Sequence, residues 1–257
     1  MDILYFVGID ISKTTLEWAV YDGKKVVLQT ASVNTVTGIK TALRLLKKLP
    51  IWNPQQTVFC MEHTGIYNAH LLDFLHKLHF PIWLESSLQI KKAGELQRGK
   101  TDSIDAQRIA EYAFRFRDQL RLWEPPRAVV QQLSMLSTAR QRLISVYNQL
   151  SVPLTEQQSF VNPVMQKQLT KSCKASLTAI EKDRKAIDMA IDELIEGDEQ
   201  LKQIFGLMTS IPGIGTATAT EVIIASNELQ TITDPKKMAA SAVRLPCGSC
   251  TFQLSIR

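Results

Sequence analysis

The stretch Ile3-Leu4-Tyr5-Phe6-Val7-Gly8-Ile9-Asp10, continued by Leu16-Glu17-Trp18-Ala19-Val20, decides the fold class. The first run is apolar almost throughout, as a strand can be, and ends on a carboxylate. The second alternates as a half-buried strand should, and Asp22-Gly23 is a hairpin turn signal before Val26-Val27-Leu28 resumes the strand pattern. The chain thus opens with a three-stranded antiparallel meander. Beyond it, Thr37 to Leu49 carries Ile39, Leu43, Leu46 and Leu49 at helical spacing and stops at Pro50. Thr57-Val58-Phe59-Cys60-Met61 is strand-like and ends at Glu62. Tyr67 to Leu78 is helical and ends before Pro81, and Ile82-Trp83-Leu84 is a short strand. A basic helical segment, Ser87 to Leu96, precedes a further helix. An antiparallel start followed by alternating helices and strands predicts an α/β domain with a mixed sheet.

That further helix begins near Gly99-Lys100-Thr101-Asp102-Ser103-Ile104-Asp105, with Ile104, Ile109, Tyr112, Ala113 and Phe116 as its apolar face. Asp102 and Asp105 are three residues apart, so they share a helix face beside the helix N-terminus. Arg98, Lys100 and Arg108 flank them and would attract a phosphate, so Lys100 and Arg108 are candidate nucleic-acid contacts. The plainer reading of the two acids is an N-cap and a first-turn carboxylate favoured by the helix dipole.

Carboxylates on the first strand, at a later strand end and on a closing helix are what a ribonuclease H-like fold requires. Asp10, Glu62, Asp102 and Asp105 fit that pattern. Hard oxygen donors suit Mg²⁺ or Mn²⁺, and two such ions held by shared carboxylates stabilise the attacking and leaving oxygens of phosphodiester cleavage. These four acids are the candidate catalytic and metal-binding residues.

Pro125-Pro126 is the clearest boundary. The reading divides the chain into an α/β catalytic domain over 1–124, a helical arm over 125–200 and a C-terminal domain over 201–257. From Arg127 to Leu150 the residues Val130, Leu133, Leu136, Leu143, Ile144, Tyr147 and Leu150 give a nearly heptad-like stripe. A second helix is expected from Val164 to Glu196, with Pro153 and Pro163 bracketing the turn. Two long antiparallel helices suit self-association or bracing of nucleic acid, or form a helical subdomain around their own core. Leu201 to Ser210 and Thr216 to Ala225 are expected as short helices around Ile211-Pro212-Gly213-Ile214-Gly215. This is a helix-hairpin-helix pattern in which Gly213 and Gly215 let backbone amides approach a phosphate. An ordinary αα-hairpin with glycines at a helix end would read alike. Thr233-Asp234-Pro235 caps one more short helix through Ala240.

The 257 residues carry a net charge of +5, with both signs mixed, which permits a polyanion partner without requiring one. There is neither an 18-residue apolar run nor a signal-peptide pattern at Met1-Asp2-Ile3-Leu4, which predicts a cytoplasmic protein with no membrane association. The four cysteines suggest no disulfide framework. Cys247-Gly248-Ser249-Cys250 has metal-type spacing without the second pair that a closed zinc site needs.

Three stretches together resemble a known family: Gly8-Ile9-Asp10-Ile11-Ser12-Lys13, Met61-Glu62-His63-Thr64-Gly65 and Lys100-Thr101-Asp102-Ser103-Ile104-Asp105-Ala106. They are similar to the DEDD transposases of bacterial insertion sequences, the insertion-sequence one-hundred-ten family. Leu207 to Gly215 and Asp234 to Ala239 resemble the family's C-terminal transposase domain. The resemblance runs from about Ile3 to Ala240. It implies a RuvC-like domain whose metal ligands are the four acids, and a recombinase that excises and inserts its element. It further implies a structured guide RNA bridging donor and target DNA, and a coiled-coil arm used in dimer or tetramer assembly. In the family the C-terminal domain continues into a segment with a nucleophilic serine. The tail Val243 to Arg257 departs from that pattern and reads as a truncated or frameshifted end, and neither Ser241 nor Ser249 is assigned as the nucleophile. Two alternatives stand beside the recombinase. One is a remnant that binds nucleic acid without strand transfer. The other is an actin-like or sugar-kinase-fold ATPase using Gly8-Ile9-Asp10-Ile11-Ser12 as its first phosphate loop.

Overall fold

The structure is a computed structural model and describes residues 2–93 and 102–230. It divides into two compact units, Met1–Pro125 and Pro126–Arg257.

The first unit is built on a five-stranded sheet. Strands β1 (Tyr5–Ile11), β2 (Thr15–Tyr21) and β3 (Val26–Val33) form the antiparallel meander, and β4 (Thr57–Glu62) and β5 (Ile82–Glu85) extend it in parallel from β1. The order β3-β2-β1-β4-β5 is that of a ribonuclease H-like domain, as the sequence pattern predicts. Both faces of the central strands are covered, which is why β1 and β4 are buried almost throughout. On one face lie α1 (Val36–Leu46) and α2 (Ala69–Lys77), whose Ile39, Leu43, Leu46, Leu71 and Leu75 pack on Val7, Ile9, Leu16, Trp18, Phe59 and Met61. Each fully buried Leu or Ile there contributes roughly 1.5–3 kcal/mol. Thr35 caps α1 by accepting from the Gly38 amide at 3.2 Å. The segment expected as one helix from Tyr67 is split into a 3₁₀ turn, Gly65–Asn68, and then α2.

On the other face lies α4 (Asp102–Arg115), preceded by the short helix α3 (Ser87–Ala93). Ile109, Tyr112 and Ala113 pack on Phe6, Val58, Cys60 and Trp83, and Ala106 and Ala110 pack on Ala19. The approach of α4 to β1 requires a glycine at position 8. A Cβ there would lie 2.1 Å from the Ala106 carbonyl oxygen and 2.3 Å from the Ala110 nitrogen.

The second unit is helical: α5 (Ala128–Glu156), α6 (Pro163–Glu196), α7 (Glu199–Thr209) and α8 (Thr216–Ala225). Its core draws on all four helices, through Val130, Leu133, Ile191, Ile195, Leu201, Met208, Ala219 and Ile223. One correction to the sequence reading concerns Pro153, expected to open the turn after the first long helix. It lies inside α5, which runs on to Glu156. Proline removes the amide that would bond the Gln149 carbonyl and its ring crowds that oxygen; both residues are exposed, so the carbonyl is open to solvent. Pro163 occupies the first turn of α6, where a missing amide costs nothing.

An ion network joins three chain-distant points of this unit. Arg127 donates two parallel bonds to Asp198, at 2.8 Å each, and pairs through Nε and Nη2 with the fully buried Glu228. Asp198 also caps α7 by accepting from the Leu201 amide at 3.0 Å. The Arg127 bond first, and the Leu201 amide after it, hold the Asp198 carboxyl down to about 2. Arg127 is in turn pushed above its ordinary value, chiefly by Glu228 and then Asp198. Asn227, Glu228 and Leu229 all have positive φ, of 46°, 58° and 66°. Left-handed backbone costs a non-glycine residue roughly 1 kcal/mol, so the Glu228 pairing stabilises a turn that the backbone alone disfavours.

Candidate active site

Two of the four predicted acids end neighbouring parallel strands. Asp10 is the penultimate residue of β1 and Glu62 the last of β4. Ile9 is in register with Met61, so Asp10 and Glu62 are the next step along the same pair. Successive side chains alternate between faces. Ile9 and Met61 belong to the core under α1 and α2, whereas Cys60 packs with Ile109 and Tyr112 of α4. Asp10 and Glu62 therefore share the α4 face.

The helix runs so that its first turn lies over this end. Near its C-terminus Phe114 packs edge-on against Phe6 at 5.4 Å and against Tyr21 at 5.3 Å, at the opposite end of β1. Ala106 and Ala110 cross at Gly8. The turn from Asp102 is thus the end of α4 nearest Asp10. Close packing at Gly8 and the parity of two strands are what aim these segments at one place.

The register adds two acids that sequence reasoning missed. Glu17 is directly opposite Asp10 on β2, and Glu85 directly opposite Glu62 on β5. Four half-buried carboxylates, Glu17, Asp10, Glu62 and Glu85, thus cross the sheet in one row. Their signal was available: Glu17 has core-facing parity opposite to Leu16 and Trp18, and Glu85 closes the Ile82-Trp83-Leu84 run. Glu85 accepts from the Ser86 amide at 2.7 Å and from the Tyr112 hydroxyl at 3.3 Å. The row's field is felt below it. Burial first, then the charges of Glu85 and Glu62, push the Cys60 thiol well up, and burial followed by Glu85 does the same to the Tyr112 hydroxyl. Like charges directly opposite one another on a sheet are destabilising.

Asp105 is half-buried and accepts from Arg108 at 2.9 Å. Arg108, one of the two basic residues expected to meet a phosphate, is therefore engaged with an acid of the predicted set. Lys100 and the Asp102 side chain lie outside the described residues, as do Thr101, the helix expected after Thr233, and Ser241, Ser249, Cys247 and Cys250. Among the described residues no three His, Cys, Asp or Glu side chains group closely enough to hold a metal ion. Asp10 and Glu62 offer hard oxygen donors on one face, the donor type that a divalent cation takes, and Asp105 does not join them in a group of three.

In the helical unit, Gly213 has φ +91° and Gly215 precedes the first residue of α8 without a side-chain cap. Both are exposed, and a Cβ at either would meet no atom within 4 Å. The turn is open to an approaching phosphate. Among the described residues no helix is long and apolar enough to cross a membrane.

A family model described as transposase, of the IS110 DEDD type, matches residues 7–163, more than half of the chain. No curated protein matches it. Among solved structures, one of T. thermophilus RuvC in complex with Holliday junction substrate is similar at 15% identity over 45% of this chain and 96% of that one, with a TM-score of 0.34.

Proposed function

Since the chain belongs to the IS110 DEDD transposase family, a family of DNA-cleaving recombinases, we propose that it cleaves and rejoins DNA at insertion-sequence ends. In this reading Asp10, Glu62, Asp102 and Asp105 hold Mg²⁺ or Mn²⁺ at the scissile phosphate. The observation that carries it is the shared face and register of Asp10 and Glu62, with the first turn of α4 over the same end. When bound, the ion would supply Lewis acidity at the phosphoryl oxygen and a lowered pKa for an attacking hydroxyl. The protein's own part is to orient that phosphate. The α4 N-terminus adds a positive dipole end beside it, and Lys100 and Arg108 counter its charge. Gly213 and Gly215 would hold backbone elsewhere on the nucleic acid through exposed amides, without reading sequence.

The finer parts of the proposal follow the family resemblance: a structured RNA pairs with donor and target DNA, and the α5–α6 hairpin serves assembly of a dimer or tetramer. Exposed Val146, Val152, Val164, Met165 and Leu169 on that hairpin support an assembly surface. Domain limits of 1–124, 125–200 and 201–257 belong to the same reading. A second reading, a chain that binds nucleic acid without strand transfer, is favoured by the Asp105–Arg108 pair, which occupies one of the expected ligands. Purified protein given element-end DNA, guide RNA and Mg²⁺ separates the two. Cleavage and a covalent protein–DNA adduct, both lost in Asp10→Asn and Glu62→Gln, support the recombinase. Binding without either product, or products that survive both substitutions, overturns it.

A further inference from the structure

Asp10 and Glu62 stand where β1 and β4 give way to loops, and buried asparagine side chains hold the backbone of both loops. Asn68 is 1% exposed. Its Nδ2 donates to the Glu62 carbonyl at 2.8 Å, and its Oδ1 accepts from the Thr64 amide and hydroxyl at 2.6 and 2.8 Å. The His63 amide, on the opposite edge of the same peptide, donates to the Glu85 carbonyl at 3.0 Å. Both polar groups of the peptide that follows Glu62 are therefore bonded, to partners in opposite directions. Strand ends fray where few contacts hold them. This one is pinned, and the Cα–Cβ bond of Glu62 with it.

Asn34, 8% exposed, ties the two loops to each other. Its Nδ2 donates to the Ser12 carbonyl at 2.9 Å and to the Tyr67 carbonyl at 3.0 Å. Both partners are carbonyls, so only the nitrogen of the side chain suits them. Ser12, two residues after Asp10, is itself held: its amide donates to the Thr15 carbonyl and its hydroxyl accepts from the Thr15 amide, at 2.9 Å each. Tyr67 directly precedes Asn68. A continuous run of bonds thus leads from the turn behind Asp10, through two asparagine side chains, to the Glu62 carbonyl. The Asn34 Oδ1, in contrast, is buried with no hydrogen-bond partner among the described residues. A buried acceptor left unpaired is unfavourable, and a leucine would fill the same space without one. What distinguishes asparagine at this position is two donors on one nitrogen.

We propose that Asn68 and Asn34 are positioning residues for cleavage: they set the stance of the Glu62 carboxylate relative to Asp10, and with it the affinity of that pair for a divalent cation. The inference deepens the cleavage reading and rests on it. Both asparagines act through main chain, Asn68 on the peptide of Glu62 itself and Asn34 one link further away, through the Tyr67 and Ser12 carbonyls. Residues that orient metal ligands without touching the metal change its affinity by about 10–100-fold when removed. Because the links here are in series, removing Asn68 weakens binding more than removing Asn34. Removing both weakens it by less than the product of the two losses, since one broken link already slackens the run.

The test follows Mn²⁺ binding to the full chain without nucleic acid, by the electron paramagnetic resonance signal of the free ion, with a melting temperature for every variant. Asn68→Ala is expected to weaken binding about ten-fold or more, Asn34→Leu by less, and the double variant little beyond Asn68→Ala. Thr57→Val is the comparison for a purely structural role. Thr57 is fully buried at the other end of β4, where its hydroxyl donates to the Asn53 carbonyl at 2.8 Å, so this variant should melt lower and keep its Mn²⁺ affinity. In a cleavage assay the rate lost in Asn68→Ala should return at raised Mn²⁺, with KM for DNA unchanged. If Asn68→Ala does not fold, Asn34→Leu, which keeps the bulk of the side chain, carries the comparison. Asparagine variants that bind Mn²⁺ as the wild type does, or losses that multiply in the double variant, overturn the positioning role and leave the cleavage reading standing. A wild-type chain that binds no Mn²⁺ overturns both.

Discussion

The two units hold themselves together by different means. The sheet unit is secured by apolar packing on two faces, and its tightest point is a contact between backbones, at Gly8 under Ala106 and Ala110. The helical unit has a smaller apolar core and is secured where its helices begin and end, by Arg127 with Asp198 and Glu228. Backbone contact tolerates no added atom, while an ion network tolerates no missing one. In the first unit this rigidity bears on the placement of acids. In the second it fixes helix termini.

The largest expected effect sharpens the chemical side of this contrast. Asp10→Asn should lower metal-dependent cleavage about a thousand-fold, or about 4 kcal/mol, in a timed assay on element-end DNA. A drop in melting temperature with cleavage intact would make Asp10 a structural acid. Next comes Arg127→Met, which leaves the buried Glu228 carboxylate unpaired and should cost the helical unit about 3 kcal/mol in denaturant unfolding. If helix content and unfolding midpoint hold, the network is ornamental. Gly8→Ala should cost about 2–3 kcal/mol by forcing α4 off β1, and should reduce Mn²⁺ affinity as well, since the same contact aims the α4 turn at Asp10. Stability lost with metal affinity unchanged would break that link. Gly213→Ala should cost roughly 1 kcal/mol at its positive φ and weaken binding to DNA of any sequence, read by a salt-dependent binding titration.

The smallest effect is one of pH. Asp198 is held down to about 2 in the folded chain, below its ordinary value of 3.8. Its contribution is therefore complete above the ordinary value and is lost as pH falls from there towards 2. Unfolding of the helical unit followed from pH 5 to pH 2 should show this loss in the wild type and a shallower one in Asp198→Asn.

Much of the fold could be read from local pattern because its signals are local. Alternation gave β2, the continuous apolar run gave β1, and Asp22-Gly23 gave the turn between β2 and β3. Pro153 misled: a proline inside a helix costs roughly 3 kcal/mol, yet α5 continues through it to Glu156. The acids show the limit more sharply. Asp10 and Glu62 stood out because each ends an apolar strand. Glu17 and Glu85 did not, because what sets them beside the other two is strand register, a property of pairs of segments. Asn34 was equally silent: nothing in its letter tells that it fastens the loop behind Glu62, more than thirty positions further on.

The Arg127 network has a consequence for synthesis. Its last member, Glu228, lies 101 positions after the first. On the ribosome, α5 and α6 can zip together as a hairpin as soon as both have emerged, since their contacts are between consecutive segments. The guanidinium then waits at the hairpin's base, half-satisfied by Asp198, until translation delivers residue 228. A stalled nascent chain that stops short of that codon would carry two paired helices with an unsealed foot, a species exposed to proteases and to association with its neighbours on the same message.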